Sequence, residues 1–180
     1  VFPSQDTIYS NQKGEATYVK DHFVQTDYLQ VTKMAKDTQF MQILIPLGIN
    51  EEIPTVEELS TEKVVAAEVE KDGFIDLFAQ QRNHEKMNIK DFSTDATFVY
   101  TRSKEGLKQL SFKQGTYLNN KDSLLISSTK AITLAMNMEE YNAYDITIAE
   151  NNEDYELRIK NPIGALTTNV TFNGENSDYQ

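Results

Sequence analysis

Apolar and polar residues alternate with a period near two along most of the chain. Tyr155, Leu157 and Ile159 are interleaved with Glu156, Arg158 and Lys160. Successive side chains on a strand point to opposite faces, so this pattern predicts a strand with one buried and one wet face. The same alternation sets Ala96, Phe98 and Tyr100 against Thr97, Val99 and Thr101, and predicts that the first three face the core. It recurs at Leu110 and Phe112, at Ile132, Leu134 and Met136, and at Ile146 and Ile148.

Turn-forming residues separate these runs at hairpin spacing. Ser103-Lys104-Glu105-Gly106, Asn119-Asn120-Lys121-Asp122 and Asn151-Asn152-Glu153-Asp154 each supply residues that accept positive φ or cap a turn. Val64 to Glu70 reads as a strand running into the turn Lys71-Asp72-Gly73. Closer to the N-terminus, Tyr28 to Thr32 and Thr38 to Leu47 read as two strands. The second is almost continuously apolar, which predicts a central position covered on both faces. Pro54 to Leu59 reads as one short helical turn, with Thr55 as cap and Glu58 at capping-box distance.

The sum is an all-β chain: an antiparallel β-sandwich of about twelve to fourteen short strands with at most one helical turn. Residues 1–180 read as a single domain. Residues 1–27 are an irregular N-terminal arm, and residues 173–180 are a polar, flexible tail.

Composition narrows the chemistry. With no cysteine there is no disulfide framework, thiolate metal site or cysteine nucleophile. The 28 acidic residues outnumber the 17 basic ones, for a net charge of -11. Such a field opposes nucleic acid and anionic membranes. The longest apolar run, Ile43 to Leu47, is strand-sized, so no membrane span is expected. A chain that begins at Val1 rather than Met reads as an excised domain or a processed protein.

No catalytic group is assigned. The adjacent pairs Glu51-Glu52, Glu57-Glu58 and Glu139-Glu140 are not the facing carboxylates that glycoside hydrolysis uses. No nucleophile elbow, phosphate loop or calcium loop is present, and neither cofactor nor metal is expected. Two places carry candidate binding chemistry. Arg82 and His84 lie in the polar stretch Arg82-Asn83-His84-Glu85-Lys86, which suits a sugar or an anionic group and also reads as an ordinary solvated hairpin loop. Tyr117 adjoins a turn, and its amphipathic ring is of the kind that stacks on sugars. The candidate carbohydrate-binding residues are therefore Arg82, His84 and Tyr117.

Three stretches resemble a known family: TQFMQILIPLG (residues 38–48), DATFVYTRSKEGLKQLSFKQGTYLNNKDSLLIS (95–127) and YDITIAENNEDYELRIKNP (144–162). Their strand order and turn placement are similar to the C-terminal β-sandwich of heparinase II/III-like polysaccharide lyases. That resemblance implies a bacterial, periplasmic or secreted protein whose parent cleaves uronate-containing polysaccharide by β-elimination. It also implies a helical toroid domain as partner, against which the sandwich packs to line the substrate cleft. None of the family's catalytic Asn, Tyr or His residues matches a position here, so the resemblance implies a non-catalytic module. A stand-alone glycan-binding or adhesive surface module is the alternative.

Overall fold

The computed structural model describes residues 7–19, 22–34, 41–43, 45–83, 85–121, 123–138, 143–149, 154–160, 167–172 and 175–177. Among them every regular element is a strand. The chain divides into two compact units, Val1–Phe40 and Met41–Gln180.

The first unit contains β1 (Thr7–Val19) and β2 (His22–Lys33), which pair antiparallel from Thr7↔Lys33 to Val19↔His22. The irregular arm expected before residue 28 is thus largely a regular hairpin. Its polar residues hid it, because a two-stranded ribbon needs no continuous apolar face to hydrogen-bond.

The second unit contains β3 (Thr55–Glu58), β4 (Val64–Lys71), β5 (Phe74–Gln81), β6 (Met87–Ile89), β7 (Phe92–Thr94), β8 (Phe98–Ser103), β9 (Leu107–Asn120), β10 (Ser123–Met138), β11 (Ala143–Ile148), β12 (Leu157–Ile159), β13 (Thr167–Phe172) and β14 (Glu175–Ser177). One sheet runs in the order β14-β13-β11-β10-β9-β8-β5-β4-β3. Neighbours are antiparallel except β11 and β13, which are parallel. β14 lies in the tail expected to fray.

β9 and β10 are long enough to carry a second set of partners within the same hydrogen-bonded sheet. Their inner halves, around Leu110 and Leu134, pair with β8 and β11. Their hairpin ends, around Leu118 and Ile126, pair with β7 and β12, and β6 adds to β7. This second layer closes an open sandwich-like arrangement of two sheets. Met87, Leu118 and Ile126 are wholly buried and join Leu77, Leu110 and Phe112 in one core cluster.

The change of partners occurs at Gln114 and Gly115. Gln114 has a φ of 50°, and the β9–β10 register slips on either side of Ile132. Bulges of this kind re-aim a strand. At the opposite end of the sheet, Asp72 (φ 54°) and Gly73 (φ 76°) make the two-residue β4–β5 turn. Positive φ at both positions is the type I′ geometry that matches strand twist.

Three local expectations are corrected. Thr55 to Glu58, in the segment expected to be helical, is strand β3, paired from Thr55↔Glu70 to Glu58↔Ala67. A single helical turn gains one hydrogen bond for three fixed residues, whereas an edge position on a formed sheet gains ladder bonds at once. The predicted central strand over residues 38–47 is not formed by Met41–Ile43 or residues 45–47, and residues 38–40 and 44 lie outside the described set. Pro46 cannot donate to a ladder, and Leu47 is exposed rather than covered. Finally, β8 turns its other face inward. Val99 and Thr101 are buried, whereas Phe98 and Tyr100 are half-buried on the outer face. Ala96 is in the core, but the chain bends at Thr97, so parity does not carry across from Ala96 to Phe98.

Candidate functional site

Because registered partners share a face, the pairing of β5, β8 and β9 sets Asp76 beside Arg102 and Arg102 beside Gln109 on the outer surface. Phe74, Phe78 and Tyr100 project from the same face by alternation. Arg102 Nη2 donates to Asp76 Oδ2 at 3.1 Å. Its Nε lies 2.9 Å from Oδ1 as an ion-pair contact, but without the alignment of a hydrogen bond. The Tyr100 hydroxyl donates to Asp76 Oδ1 at 3.0 Å and also lies 3.4 Å from Gln109 Oε1. The Tyr100 and Phe78 rings pack tilted, with centroids 4.9 Å apart. Phe74 is flanked by two cations, Arg102 at 5.0 Å and Lys104 at 4.6 Å from its centroid.

Burial pushes the Tyr100 phenol up to about 12, and its bond to the Asp76 carboxylate and that negative charge push the same way, against the nearby Arg102. A group that holds its proton this firmly is a poor general acid near neutral pH. The cluster ties β5 to β8 across the sheet's outer face. Asp76→Asn is expected to lower the Tyr100 titration, which burial should still hold above the ordinary tyrosine value. The difference between wild-type and Tyr100→Phe ultraviolet alkaline titrations, repeated in the Asp76→Asn background, measures it. The sign follows from the raised folded value. Whatever stability this site contributes is complete below about pH 10, the unfolded value, and is lost as pH rises through about 12.

A second constellation fixes the turn between the layers. Asp95 Oδ1 accepts the backbone amides of Thr116 (2.8 Å) and Tyr117 (3.1 Å), and Oδ2 accepts the Thr116 hydroxyl (2.5 Å). Thr94 Oγ1 donates to the Tyr117 carbonyl at 2.6 Å. The backbone of Tyr117 is thus held from both sides, immediately after the bulge.

Its ring is half-buried, and Lys86 Nζ sits 5.6 Å from the ring centroid. Burial first, and then the Asp95 charge, raises the Tyr117 phenol above its usual value. Of the residues proposed from sequence, Tyr117 meets the loop after β5 only through Lys86, which was not among them. Arg82 is exposed, and its amide donates to the Lys63 carbonyl at 2.8 Å. Lys63 in turn pairs with Glu85. His84 lies outside the described residues.

Asp76, Tyr100, Arg102 and Asp95 escaped sequence reasoning. Each acts through a residue on another strand, more than twenty positions away in the Asp76–Tyr100, Asp76–Arg102 and Asp95–Thr116 contacts. Among the described residues no three His, Asp or Glu side chains gather as a metal-binding group, and no helix is long and apolar enough to cross a membrane. Compared with protein-family models and with curated proteins, the chain matches none.

Proposed function

We propose that this chain is a non-catalytic, glycan-facing β-sandwich module. Its contact surface centres on Tyr117 and Lys86, with the exposed Arg82 of the same loop as a further candidate. The observation that carries this is the Lys86 ammonium over the half-buried Tyr117 ring. An aromatic platform next to flexible cations is the combination that meets a sugar ring and its carboxylate or sulfate. On a chain of net charge -11, local cations such as these favour an acidic glycan over the global field, since screening confines each charge to about 8 Å.

The finer reading is that of a C-terminal sandwich in a heparinase II/III-like polysaccharide lyase, working in a bacterial periplasm or outside the cell. There the module would pack on a helical toroid and wall one side of a cleft in which other residues carry out β-elimination. The stand-alone adhesive module is the second reading, and the Lys86–Tyr117 pair favours it equally.

Titrating the isolated chain with a uronate-rich polysaccharide tests the proposal. Saturable binding is expected, weakened by about fivefold in Tyr117→Ala and by a similar factor in Arg82→Ala. Absence of binding to acidic and neutral glycans alike would overturn the glycan-facing role. Release of unsaturated uronate by the chain alone would overturn the non-catalytic one. Appending a helical toroid domain and finding no stabilisation of the sandwich would count against the finer reading.

A further inference from the structure

The β3 edge combines three features that rarely coincide. First, all four of its residues are exposed, and β3 ends the sheet order. The Leu59 amide donates to the Ala66 carbonyl at 2.9 Å. Antiparallel bonding alternates along the ladder, so Thr55 and Glu57 also point their backbone groups at β4. The N–H and C=O groups of Val56 and Glu58 therefore point away from the sheet. They form a free template for one more strand.

Second, the segment leading into β3 displays exposed aliphatic side chains. Ile49 is 96% exposed and Ile53 is 84% exposed, with Val56 also on the surface. Their position is not slack. The Glu51 amide donates to the Gly48 carbonyl at 3.2 Å, and the Glu51 carboxylate pairs with Lys71 at 2.6 Å, which pins the turn to the end of β4.

Third, the charge is one-sided. From residue 41 to residue 62 there is no Lys or Arg, against Glu51, Glu52, Glu57, Glu58 and Glu62. Lys71 and Lys90 engage Glu51 and Glu57. Glu52 and Glu58 are exposed and have no ion-pair partner among the described residues, and the exposed Glu62 lies beside Lys63. A second copy of this chain, presenting the same acidic edge, would be repelled. Glutamates along an open edge guard against self-pairing, and that guard selects the opposite charge.

We propose that β3 is a docking edge for a partner protein. The partner adds an extended segment whose lysines or arginines alternate with aliphatic residues. Its main chain pairs with Val56 and Glu58, its apolar side chains cover Ile49 and Ile53, and its cations meet Glu52, Glu58 and Glu62. Strand addition of this kind draws affinity from main-chain bonds and specificity from alternate side chains.

The test titrates the full chain with a short blocked peptide alternating lysine and valine, and with its glutamate–valine counterpart, followed by amide NMR. Expected is saturable binding of the basic peptide alone, with slowed exchange of the Val56 and Glu58 amides. Raising the salt should weaken it. Val56→Pro should abolish it, because proline removes an outward N–H and leaves the β4 ladder intact. Should that variant fail to fold, the double charge reversal Glu52→Lys and Glu58→Lys leaves the backbone untouched and should weaken binding by about tenfold or more. Equal binding of both peptides, unchanged Val56 and Glu58 amides, or undiminished affinity in the folded variants would overturn the proposal. So would concentration-dependent dimerisation through β3, which would assign the edge to a second copy.

Discussion

Gly115→Ala is expected to destabilise the sandwich by about 3 kcal/mol, the upper end of the cost of overpacking a core. A Cβ built on Gly115 would lie 2.5 Å from Phe112 Cζ, 2.7 Å from Ala96 Cα and 2.8 Å from Ala96 Cβ. Real Cβ contacts do not come this close. Phe112 is nearly fully buried and has no room to swing, and the Ala96 contact is with backbone. Ala96 is itself tied, its amide donating to Thr94 Oγ1 at 3.0 Å. Reducing the unfolded chain's freedom works in alanine's favour by only about 0.4–1 kcal/mol, well short of the clash. A urea unfolding midpoint lowered with an unchanged slope is the expected readout. Adding Phe112→Leu should not rescue Gly115→Ala, because the Ala96 backbone contact remains. A midpoint within error of wild type would show that Ala96 and Phe112 do not crowd Gly115.

Asp95→Ala is expected to cost a comparable amount, about 3 kcal/mol, by a different route. One carboxylate serves three donors: the Thr116 and Tyr117 amides and the Thr116 hydroxyl. Hydrogen bonds to a charged group contribute about 1.5–3 kcal/mol each, and half-burial lets water recover part of that on removal. Asp95→Asn keeps an acceptor for the amides and gives up the charge, so it should recover about half of the loss. Amide exchange separates this from a general loss of stability. In Asp95→Ala the Thr116 and Tyr117 amides should exchange faster than amides of β4 and β5, because the clamp acts on the re-aimed half of β9. Uniform acceleration across the sheet would count against a local role. Since Asp95 also sets the position of Tyr117, the same variant should weaken the glycan binding proposed there more than its stability loss alone accounts for.

These two positions also mark where sequence reasoning ran out. Leu110, Phe112, Leu134, Met136, Ile146 and Ile148 were legible as core residues, and all are buried. Each lies in a stretch of strand whose own alternation is unbroken, so local alternation and global burial coincide. At Thr97 the chain bends, parity resets, and the rule carried from Ala96 assigned Tyr100 and Phe98 to the wrong face. The bulge at Gln114 and Gly115 was equally hidden. Nothing local distinguishes a glycine that must be bare because the backbone of the β7–β8 connection touches it from one that merely sits in a strand.

The candidate surfaces divide the same way. Tyr117 and the stretch Arg82 to Lys86 could be named from a turn and a polar loop, since exposure and residue type are local properties. That Lys86 reaches Tyr117 depends on the second layer, built from the hairpin ends of β9 and β10 with β7. The Asp76–Tyr100–Arg102 cluster exists only because β5 and β8 pair in one register. A shift by one residue would place Asp76 opposite Thr101 or Ser103 and dissolve it.

By itself the sequence determined an all-β chain, the positions of most strands in its second half and the residues that fill their inner face. Alternation and turn chemistry are written in neighbouring residues, and they suffice for that. Only the tertiary structure decided that Pro54 to Leu59 supplies an edge strand, that residues 7–33 hold a hairpin, and which outward side chains meet. Those outcomes depend on which strands become neighbours. Burial, backbone pairing and long-range contact settle that choice after the local preferences have been spent.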